Sequence, residues 1–191
     1  MEEKLQKLYN DCIKELETIK IYVPNNPLIG EIDIKIAKRN SKRYGCCKQE
    51  NPDTKSSYIV RKGRNVSIKY ERYNKHHIEI SRWVMDLDDS IIKNTIMHEI
   101  VHCFPGCSNH GVTFKNYASY INQKLGYNIK RLGNKEEDYR ESNLDFEKDD
   151  KNYKYKIICE NCRQIFYRKR LQKNLLKKYR CGKCGGKLIL E

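Results

Sequence analysis

The chain has 191 residues, and its 39 lysines and arginines exceed its 25 aspartates and glutamates, which gives a formal net charge of +14. This length suits one ordinary domain with a small additional module. No stretch is apolar enough to span a bilayer, and the first residues lack the order of a signal peptide. We therefore expect a cytoplasmic protein without a membrane partner. A cytoplasmic location allows association with the nucleoid. The excess of positive charge favours nucleic acid as a partner.

The charge is distributed unevenly along the chain. Two basic blocks, residues 35–75 with a net charge of +10 and residues 151–191 with +11, flank a nearly neutral region and a short acidic stretch. The acidic stretch has few apolar residues and no clear period, which is typical of a linker, although a solvated helix face fits the same composition. The sequence predicts a domain at 1–132, an acidic linker at 133–152 and a separate module at 153–191.

Apolar periodicity predicts the elements of the first domain in chain order. Leu5, Leu8, Cys12 and neighbours at three- and four-residue spacing predict an amphipathic helix, which the prolines after residue 23 end. Alternating segments near residues 32–36, 44–46, 58–70 and 77–82 predict strands, and the third of these contains a turn near Gly63.

Two further helices follow the strands. The first begins after Asp88 or Asp89 and ends near Phe104. The second begins near Gly111 and ends before Gly126, which suits a helix C-terminus. This order of elements predicts an α+β fold in which a small, mostly antiparallel sheet packs with helices.

The first of these two helices contains the sequence His98-Glu99-Ile100-Val101-His102. A spacing of four residues places both imidazoles on one helical face, where they can share one metal ion, with Glu99 beside them. Neutral imidazoles suit zinc, and catalytic zinc sites commonly have three protein ligands and one open position. A carboxylate beside such a site can act as a general base toward water.

A third histidine, His110, follows this motif after a Pro-Gly turn, so three of the five histidines lie within 13 residues. Metzincins are excluded because their extended motif requires Gly at position 105 and His at position 108, where this chain has Pro105 and Ser108. The other two histidines, His76 and His77, lie in a basic segment, which favours contact with solvent or nucleic acid over metal binding.

The segment HEIVHCFPGCSNHGVTFKNYASYIN resembles the SprT-like metallopeptidase family, in which HExxH is followed by a third histidine within HGxxF, here His110 to Phe114. The IEIS segment upstream and a four-cysteine module downstream fit the same family, and the short loop between His102 and His110 is similar to that of compact bacterial members. The resemblance implies a zincin-like fold in which His98, His102 and His110 bind a catalytic zinc ion and Glu99 is the general base. Its Spartan branch degrades proteins that are crosslinked to DNA.

Two details of this site stay open at the level of sequence. Cys103 and Cys107 flank the histidines, and a thiolate can replace His110 on zinc, although Cys103 projects about 100° around the helix from His102 and suits a small buried residue better. The group that stabilises the oxyanion is not defined by spacing. Tyr117 and Tyr120 are candidates, but aromatic residues on a helix are more often part of the core.

The C-terminal module contains two CxxC pairs separated by 18 residues, with the cysteines at Cys159, Cys162, Cys181 and Cys184. Two such pairs can form the knuckles of a zinc ribbon, in which four thiolates enclose one structural zinc ion. Glycines 182, 185 and 186 permit the positive φ angles that the second knuckle needs. Between the knuckles, cations that can contact phosphates are mixed with aromatic residues that can stack on unpaired bases, including Phe166, Tyr167 and Tyr179.

These features predict a zinc-dependent metalloendopeptidase with one catalytic and one structural zinc ion, which binds DNA, including single-stranded DNA, through its ribbon and cleaves DNA-associated or DNA-crosslinked proteins. The alternative is a non-catalytic, nucleic-acid-binding regulator in which the histidine site is structural. A metal-dependent nuclease is disfavoured because carboxylate clusters, which such enzymes commonly use, do not accompany the histidines.

Overall fold

The computed structural model of the protein describes residues 1–23, 26–38, 42–146 and 154–190. The chain divides into two compact units, Met1–Asp145 and Phe146–Glu191. The elements of the first unit are α1 (Glu2–Thr18), β1 (Glu31–Ile36), β2 (Gly45–Pro52), β3 (Ser57–Lys62), β4 (Asn65–Tyr70), β5 (Tyr73–Ile80), α2 (Asp89–Val101), α3 (Val112–Leu125) and α4 (Lys135–Glu141). The elements of the second unit are β6 (Tyr155–Cys159), β7 (Ile165–Arg168), α5 (Leu175–Lys178) and β8 (Leu188–Leu190).

Helix α2 lies in the centre of the first unit. Helix α1 packs one apolar stripe against it, with Leu5, Leu8 and Leu16 almost fully buried. By contrast, α2 buries residues around most of its circumference, as expected for a helix enclosed by other elements. The residues that it buries are Ile91, Ile92, Thr95, Ile96, Met97, Glu99, Ile100 and Val101. The buried Glu99 is the only acidic side chain among them, so its position needs a specific explanation.

The main sheet of the first unit is mixed rather than mostly antiparallel. Its strand order is β1-β5-β2; β5 pairs in parallel with β1 and antiparallel with β2. The parallel pair joins strands that are distant in the chain, which local alternation does not reveal. Strands β3 and β4 form a separate antiparallel hairpin around Gly63, as the sequence predicted. The architecture is a mixture of helices and small sheets, in agreement with the predicted α+β class.

The two adjacent histidines of β5 point to opposite faces of the sheet, because side chains alternate along a strand. His76 faces the core with Ile78 and Ile80 and is fully buried, so the expectation of solvent or nucleic-acid contact is wrong for this residue. Burial lowers its pKa to about 4. His77 lies on the other face, 3.1 Å from a carboxylate oxygen of Asp33 and 3.1 Å from one of Glu50. These carboxylates occupy both ring nitrogens of His77.

The segment that the sequence predicts as a linker contains helix α4, which belongs to the first unit. Tyr139 stacks on Trp83 with ring centroids 5.9 Å apart, and the hydroxyl of Tyr44 donates a hydrogen bond to Asp138. Lys135 adds a cation–π contact, with its Nζ atom 4.1 Å from the centroid of the Trp83 ring, so several contacts attach this short, mostly polar helix. The end of the predicted linker, residues 147–152, lies outside the described residues.

The second unit is a small antiparallel sheet with strand order β7-β6-β8. Among the described residues of this unit, the apolar core contains four buried side chains, Ile157, Cys159, Cys181 and Leu188, two of which are cysteines. So little apolar surface is insufficient to stabilise a domain of this size without a metal or another crosslink. Across the parts of the chain that the structure describes, no helix is long and apolar enough to cross a bilayer.

Candidate metal centres

The first candidate centre lies where helix α2 ends. His98 and Glu99 lie in its last turn, His102 is its C-cap residue with helical φ and ψ angles, and His110 lies in the loop before α3. Because helical geometry continues through His102, the four-residue spacing brings His98 and His102 onto one face, as the sequence predicted. The loop then turns through Gly106, whose φ of 73° is left-handed, and returns His110 to the other two histidines.

The three imidazoles converge through their Nε2 atoms. The Nε2 atom of His102 lies 3.2 Å from that of His98 and 3.2 Å from that of His110, and the third distance is 3.0 Å. Tetrahedral zinc with bonds of about 2.0–2.1 Å places neighbouring nitrogens roughly 3.3–3.4 Å apart, which is close to these values. The cluster is therefore compatible with a zinc ion bound by three histidines.

Backbone carbonyls fix the orientation of two of these rings. The Nδ1 atom of His102 donates a hydrogen bond of 2.6 Å to the Cys107 carbonyl, and the His98 ring donates to the Lys130 carbonyl. With Nδ1 protonated, the Nε2 atom of each neutral ring carries a lone pair. Two lone pairs that face each other at 3.2 Å repel unless a cation lies between them. This arrangement of lone pairs is thus compatible with a bound cation.

Phe114 forms the apolar base of this cluster. Its ring centroid lies 4.9 Å from that of His98, 4.6 Å from that of His102 and 4.8 Å from that of His110. Burial lowers the pKa of His98 to about 4, with a further contribution from the other two imidazoles, and also lowers the pKa of His102 and of His110. The rings are therefore neutral near pH 7, as metal binding requires.

Glu99 lies beside the histidines and is only 5% exposed. Burial raises its pKa to about 7, while a hydrogen bond from the Cys47 backbone amide and the positive charge of Arg43 act in the opposite direction. A carboxylate whose pKa lies close to the operating pH is suited to accept a proton and to release it again. Its surroundings thus match those of a general base.

Strand β2 holds Glu99 in place, and the sequence alone did not reveal this. The carboxylate lies so close to Gly45 that a Cβ atom at that position would be 2.7 Å from its Oε1 atom, so only glycine fits here. The Gln49 side chain donates a hydrogen bond of 3.2 Å to the His102 carbonyl, which also joins β2 to the end of α2. These residues precede the motif by about 50 positions, and no local pattern connects them with it.

A cleft of about 890 Å³ opens over the histidines and Glu99. Strand β2 forms one side, and helix α4 with the segment before it forms another. The side chains that border it on these two sides include Arg43, Tyr44, Lys130, Arg131, Glu137 and Glu141. The cluster is thus accessible to a substrate although the carboxylate beside it is buried.

The flanking cysteines do not belong to the histidine cluster. Cys103 is 2% exposed; its Sγ atom lies 3.7 Å from that of Cys47, and its thiol donates to the Glu99 carbonyl. Cys107 is buried and contributes its carbonyl to His102 rather than its sulfur to the cluster. The structure thus favours His110 over a thiolate as the third candidate ligand.

Neither tyrosine that the sequence suggested for the oxyanion borders the cleft among the described residues. Tyr117 stacks on Phe104, with ring centroids 4.7 Å apart, and Tyr120 is 41% exposed on α3. Tyr117 is a core residue, as its position on a helix also allowed. Arg43, by contrast, borders the cleft, and its positive charge acts on Glu99.

The second candidate centre is the cluster of Cys159, Cys162, Cys181 and Cys184 in the second unit. Sulfur atoms of facing cysteines lie 3.4 and 3.6 Å apart, close to the roughly 3.8 Å expected for four thiolates around zinc. The Cys162 and Asn161 backbone amides donate to the Cys159 sulfur and lower its pKa to about 6, which favours the thiolate form. The cluster is compatible with the structural zinc site of a ribbon.

The three glycines of the second knuckle have different roles. Gly185 has a left-handed φ of 70°, as predicted, whereas Gly182 and Gly186 do not adopt positive φ. Gly186 is instead required by close approach, because a Cβ atom there would lie 2.8 Å from the Cys159 sulfur. In the first knuckle a non-glycine residue, Arg163, adopts a φ of 58°.

A separate cavity of about 360 Å³ lies on the ribbon. Phe166 and Tyr179 border it together with Arg168, Arg170 and Arg180. Both aromatic residues are among those that the sequence suggested for stacking, whereas Tyr167 does not border the cavity.

Comparison with known proteins defines the class to which the first unit belongs. The family model described as SprT-like family matches residues 4–133, so the chain belongs to the SprT-like family, which is metallopeptidase-like. A relative called "Protein SprT-like" from Lactococcus lactis subsp. lactis is 57% identical over 42 residues, which cover 22% of this chain and 27% of the relative. The chain thus matches about a quarter of the length of this relative. No solved structure matches the chain.

Proposed function

We propose that the protein is a zinc-dependent endopeptidase that cleaves proteins associated with DNA or crosslinked to it. The observation that carries the proposal is the convergence of three Nε2 atoms at 3.0–3.2 Å next to a buried glutamate, at the base of an open cleft. Family membership and this geometry support the same class of chemistry.

A purely structural histidine site is the alternative, and the geometry disfavours it. Structural zinc sites commonly have four protein ligands, whereas within the described residues the histidine cluster contains three. A structural site also has no use for a buried carboxylate, which is costly to enclose near a set of neutral ligands. The incomplete ligand set and the cost of burying Glu99 both favour catalysis.

The residues of the chain divide the work of peptide hydrolysis. His98, His102 and His110 would hold a zinc ion, which would supply a Lewis acid. The Glu99 carboxylate takes a proton from the attacking water and delivers it to the amine that leaves. The carbonyls of Cys107 and Lys130 keep the imidazoles oriented, and Gly45 leaves room for the carboxylate beside them.

The ribbon is proposed to bind nucleic acid. Residues 151–191 have a net charge of +11, and their cavity combines two aromatic rings with three arginines. Aromatic faces bind unpaired bases, and guanidinium groups bind phosphates, so this composition suits single-stranded DNA. Such binding would bring the peptidase to proteins on DNA.

The test is to incubate the full-length protein with a DNA-binding substrate protein, with and without single-stranded DNA, and to compare wild type with Glu99→Gln. We expect DNA to stimulate cleavage by the wild type and the variant to be inactive, although it still binds zinc and DNA. Cleavage that survives the substitution would refute the role of Glu99. Cleavage that depends on Glu99 but not on DNA would refute the substrate class and leave the peptidase in place.

A further inference from the structure

The hairpin of strands β3 and β4 exposes apolar side chains that nothing in the proposed peptidase uses. Within the described part of the chain, the two strands pair with each other alone and form a sheet of their own. Ile59, Val66 and Ile68 are each more than 60% exposed. A lone two-stranded hairpin gains little stability from such residues, and exposed β-branched residues promote aggregation. Their exposure therefore indicates a surface that a partner covers.

These apolar side chains lie on one face of the hairpin. Ile59 pairs directly with Ile68, and Val66 pairs with Arg61. Because alternate residues of a strand share a face, the three aliphatic residues form a continuous stripe that ends at Arg61.

The charge of the hairpin identifies the kind of partner. Residues 57–70 contain four cations, Arg61, Lys62, Arg64 and Lys69, and no acidic residue. All four are exposed, and none forms an ion pair with another described residue. A surface that recognised only apolar peptides would not need this unpaired positive charge, whereas a polyanion would neutralise it.

We propose that the β3–β4 hairpin is a DNA-binding arm of the catalytic unit that enters a groove of duplex DNA. A two-stranded ribbon fits within a DNA groove, and aliphatic side chains can contact or separate base pairs there while cations bind the phosphates on either side. This arm is distinct from the ribbon, whose cavity suits unpaired bases.

The base of the hairpin is fixed to the catalytic unit by several contacts. Arg72 forms an ion pair of 3.0 Å with Asp53, and its backbone amide donates to the Ser56 hydroxyl at 3.0 Å. The Glu71 carbonyl accepts a hydrogen bond of 3.2 Å from the Gly106 amide, in the loop between His102 and His110. The arm thus joins the segment that carries the third histidine, so DNA bound to it lies against the catalytic unit itself.

The cations are tested by the double variant Arg61→Gln with Arg64→Gln in the full-length Glu99→Gln protein, which separates binding from cleavage. The matched control, Lys7→Gln with Lys14→Gln, removes the same charge from the exposed face of α1. Binding to a short labelled DNA duplex is measured by fluorescence anisotropy at several salt concentrations. We expect the hairpin variant to lose affinity by about tenfold or more and its salt slope to fall by about 1.8, while the control changes by less than about twofold.

The apolar stripe is tested by Ile59→Ser with Ile68→Ser, which exposed positions should tolerate without loss of folding. We expect weaker binding to the duplex with an unchanged salt slope, because the lost contacts carry no charge. The loss of affinity for a single-stranded oligomer should be smaller. The unfolding transition of Trp83 fluorescence checks that the variant is folded. These readouts do not depend on peptidase activity, so they can fail while the proposed function holds.

Three outcomes would overturn the inference. Equal affinity of the charge variant and its control would show that the cations do not bind DNA. An equal loss on duplex and single strand would refute entry into a groove. In the otherwise wild-type protein, slower cleavage of a substrate protein with unchanged DNA affinity after the serine substitutions would assign the stripe to protein substrates.

Discussion

Replacing Glu99 with glutamine should stabilise the metal-free protein while it abolishes catalysis. Burial raises the pKa of Glu99 to about 7, whereas the unfolded chain ionises near 4.5. The folded state therefore binds more protons between these two values, and its stability falls as the pH rises through this window. Above about pH 7 the fold must hold a buried, ionised carboxylate, and a neutral glutamine of similar size removes that cost.

The difference between a pKa of about 7 and the ordinary 4.5 corresponds to about 3 kcal/mol. For a chain of this size, such a gain raises the unfolding temperature by roughly 6–12 °C. At about pH 5 most of the gain should disappear, because Glu99 is then protonated in the folded state. Burial keeps the pKa of His98 near 4, so that imidazole stays neutral at both pH values and does not alter the comparison.

The assay is thermal unfolding after treatment with a chelator, followed by tryptophan fluorescence. Trp83 is the only tryptophan and is buried in the first unit, so it reports on that unit alone. The matched control is Glu79→Gln on β5. The Glu79 carboxylate lies 2.8 Å from the Lys48 ammonium, which lowers its pKa. The control should gain no stability at about pH 8. If Glu99→Gln were no more stable than wild type there, or equally stabilised at about pH 5, the explanation of Glu99 by burial would be refuted.

Three further predictions concern the two candidate centres. Elemental analysis should find two zinc ions per wild-type chain, one for each cluster. The His98→Ala variant should contain one zinc ion, and an unchanged count of two would contradict the ligand assignment. Gly45→Ala should reduce peptidase activity by about a hundredfold or more and leave the zinc content unchanged. The reason is that a Cβ atom at position 45 would lie 2.7 Å from the Oε1 atom of Glu99 and would displace its carboxylate. Activity near that of wild type would contradict this close contact. Cys162→Ser should lose one zinc ion and unfold the ribbon but leave the fluorescence transition of Trp83 in place; a change in that transition would show that the two units do not fold separately.

The histidine cluster was predictable because it depends on local spacing. His98 and His102 are one helical turn apart, and helical geometry extends to His102 in the structure. The cysteine cluster was predictable for a similar reason, since two CxxC pairs at ribbon spacing have few other uses. The β3–β4 hairpin and the stop of α3 at Gly126 follow from equally local signals.

The environment of Glu99 was not predictable because it depends on contacts between distant segments. Gly45 and Cys47 reach the carboxylate only after β2 pairs with β5 and packs on α2. The parallel pairing of β1 with β5 is another long-range choice that strand patterns do not encode. Both features require the tertiary structure.

For two segments, the composition of the sequence was a poor guide to the structure. His76 lies in a strongly basic stretch, yet the alternation of β5 turns it into the core, and the neighbouring His77 faces outward. The acidic stretch after residue 133 looked like a linker, yet Tyr139 attaches α4 to Trp83. In each case the contacts of individual side chains outweighed the average character of the segment.

The proposed role of Glu99, as the general base that acts beside three histidines in peptide hydrolysis, can be tested by identifying the cleavage products. Wild type and Glu99→Gln, adjusted to equal zinc content, are incubated with the same DNA-bound substrate protein, and new N-termini are identified by mass spectrometry. We expect defined new termini with the wild type and none above background with the variant. Identical termini from both proteins at similar rates would contradict this role of Glu99.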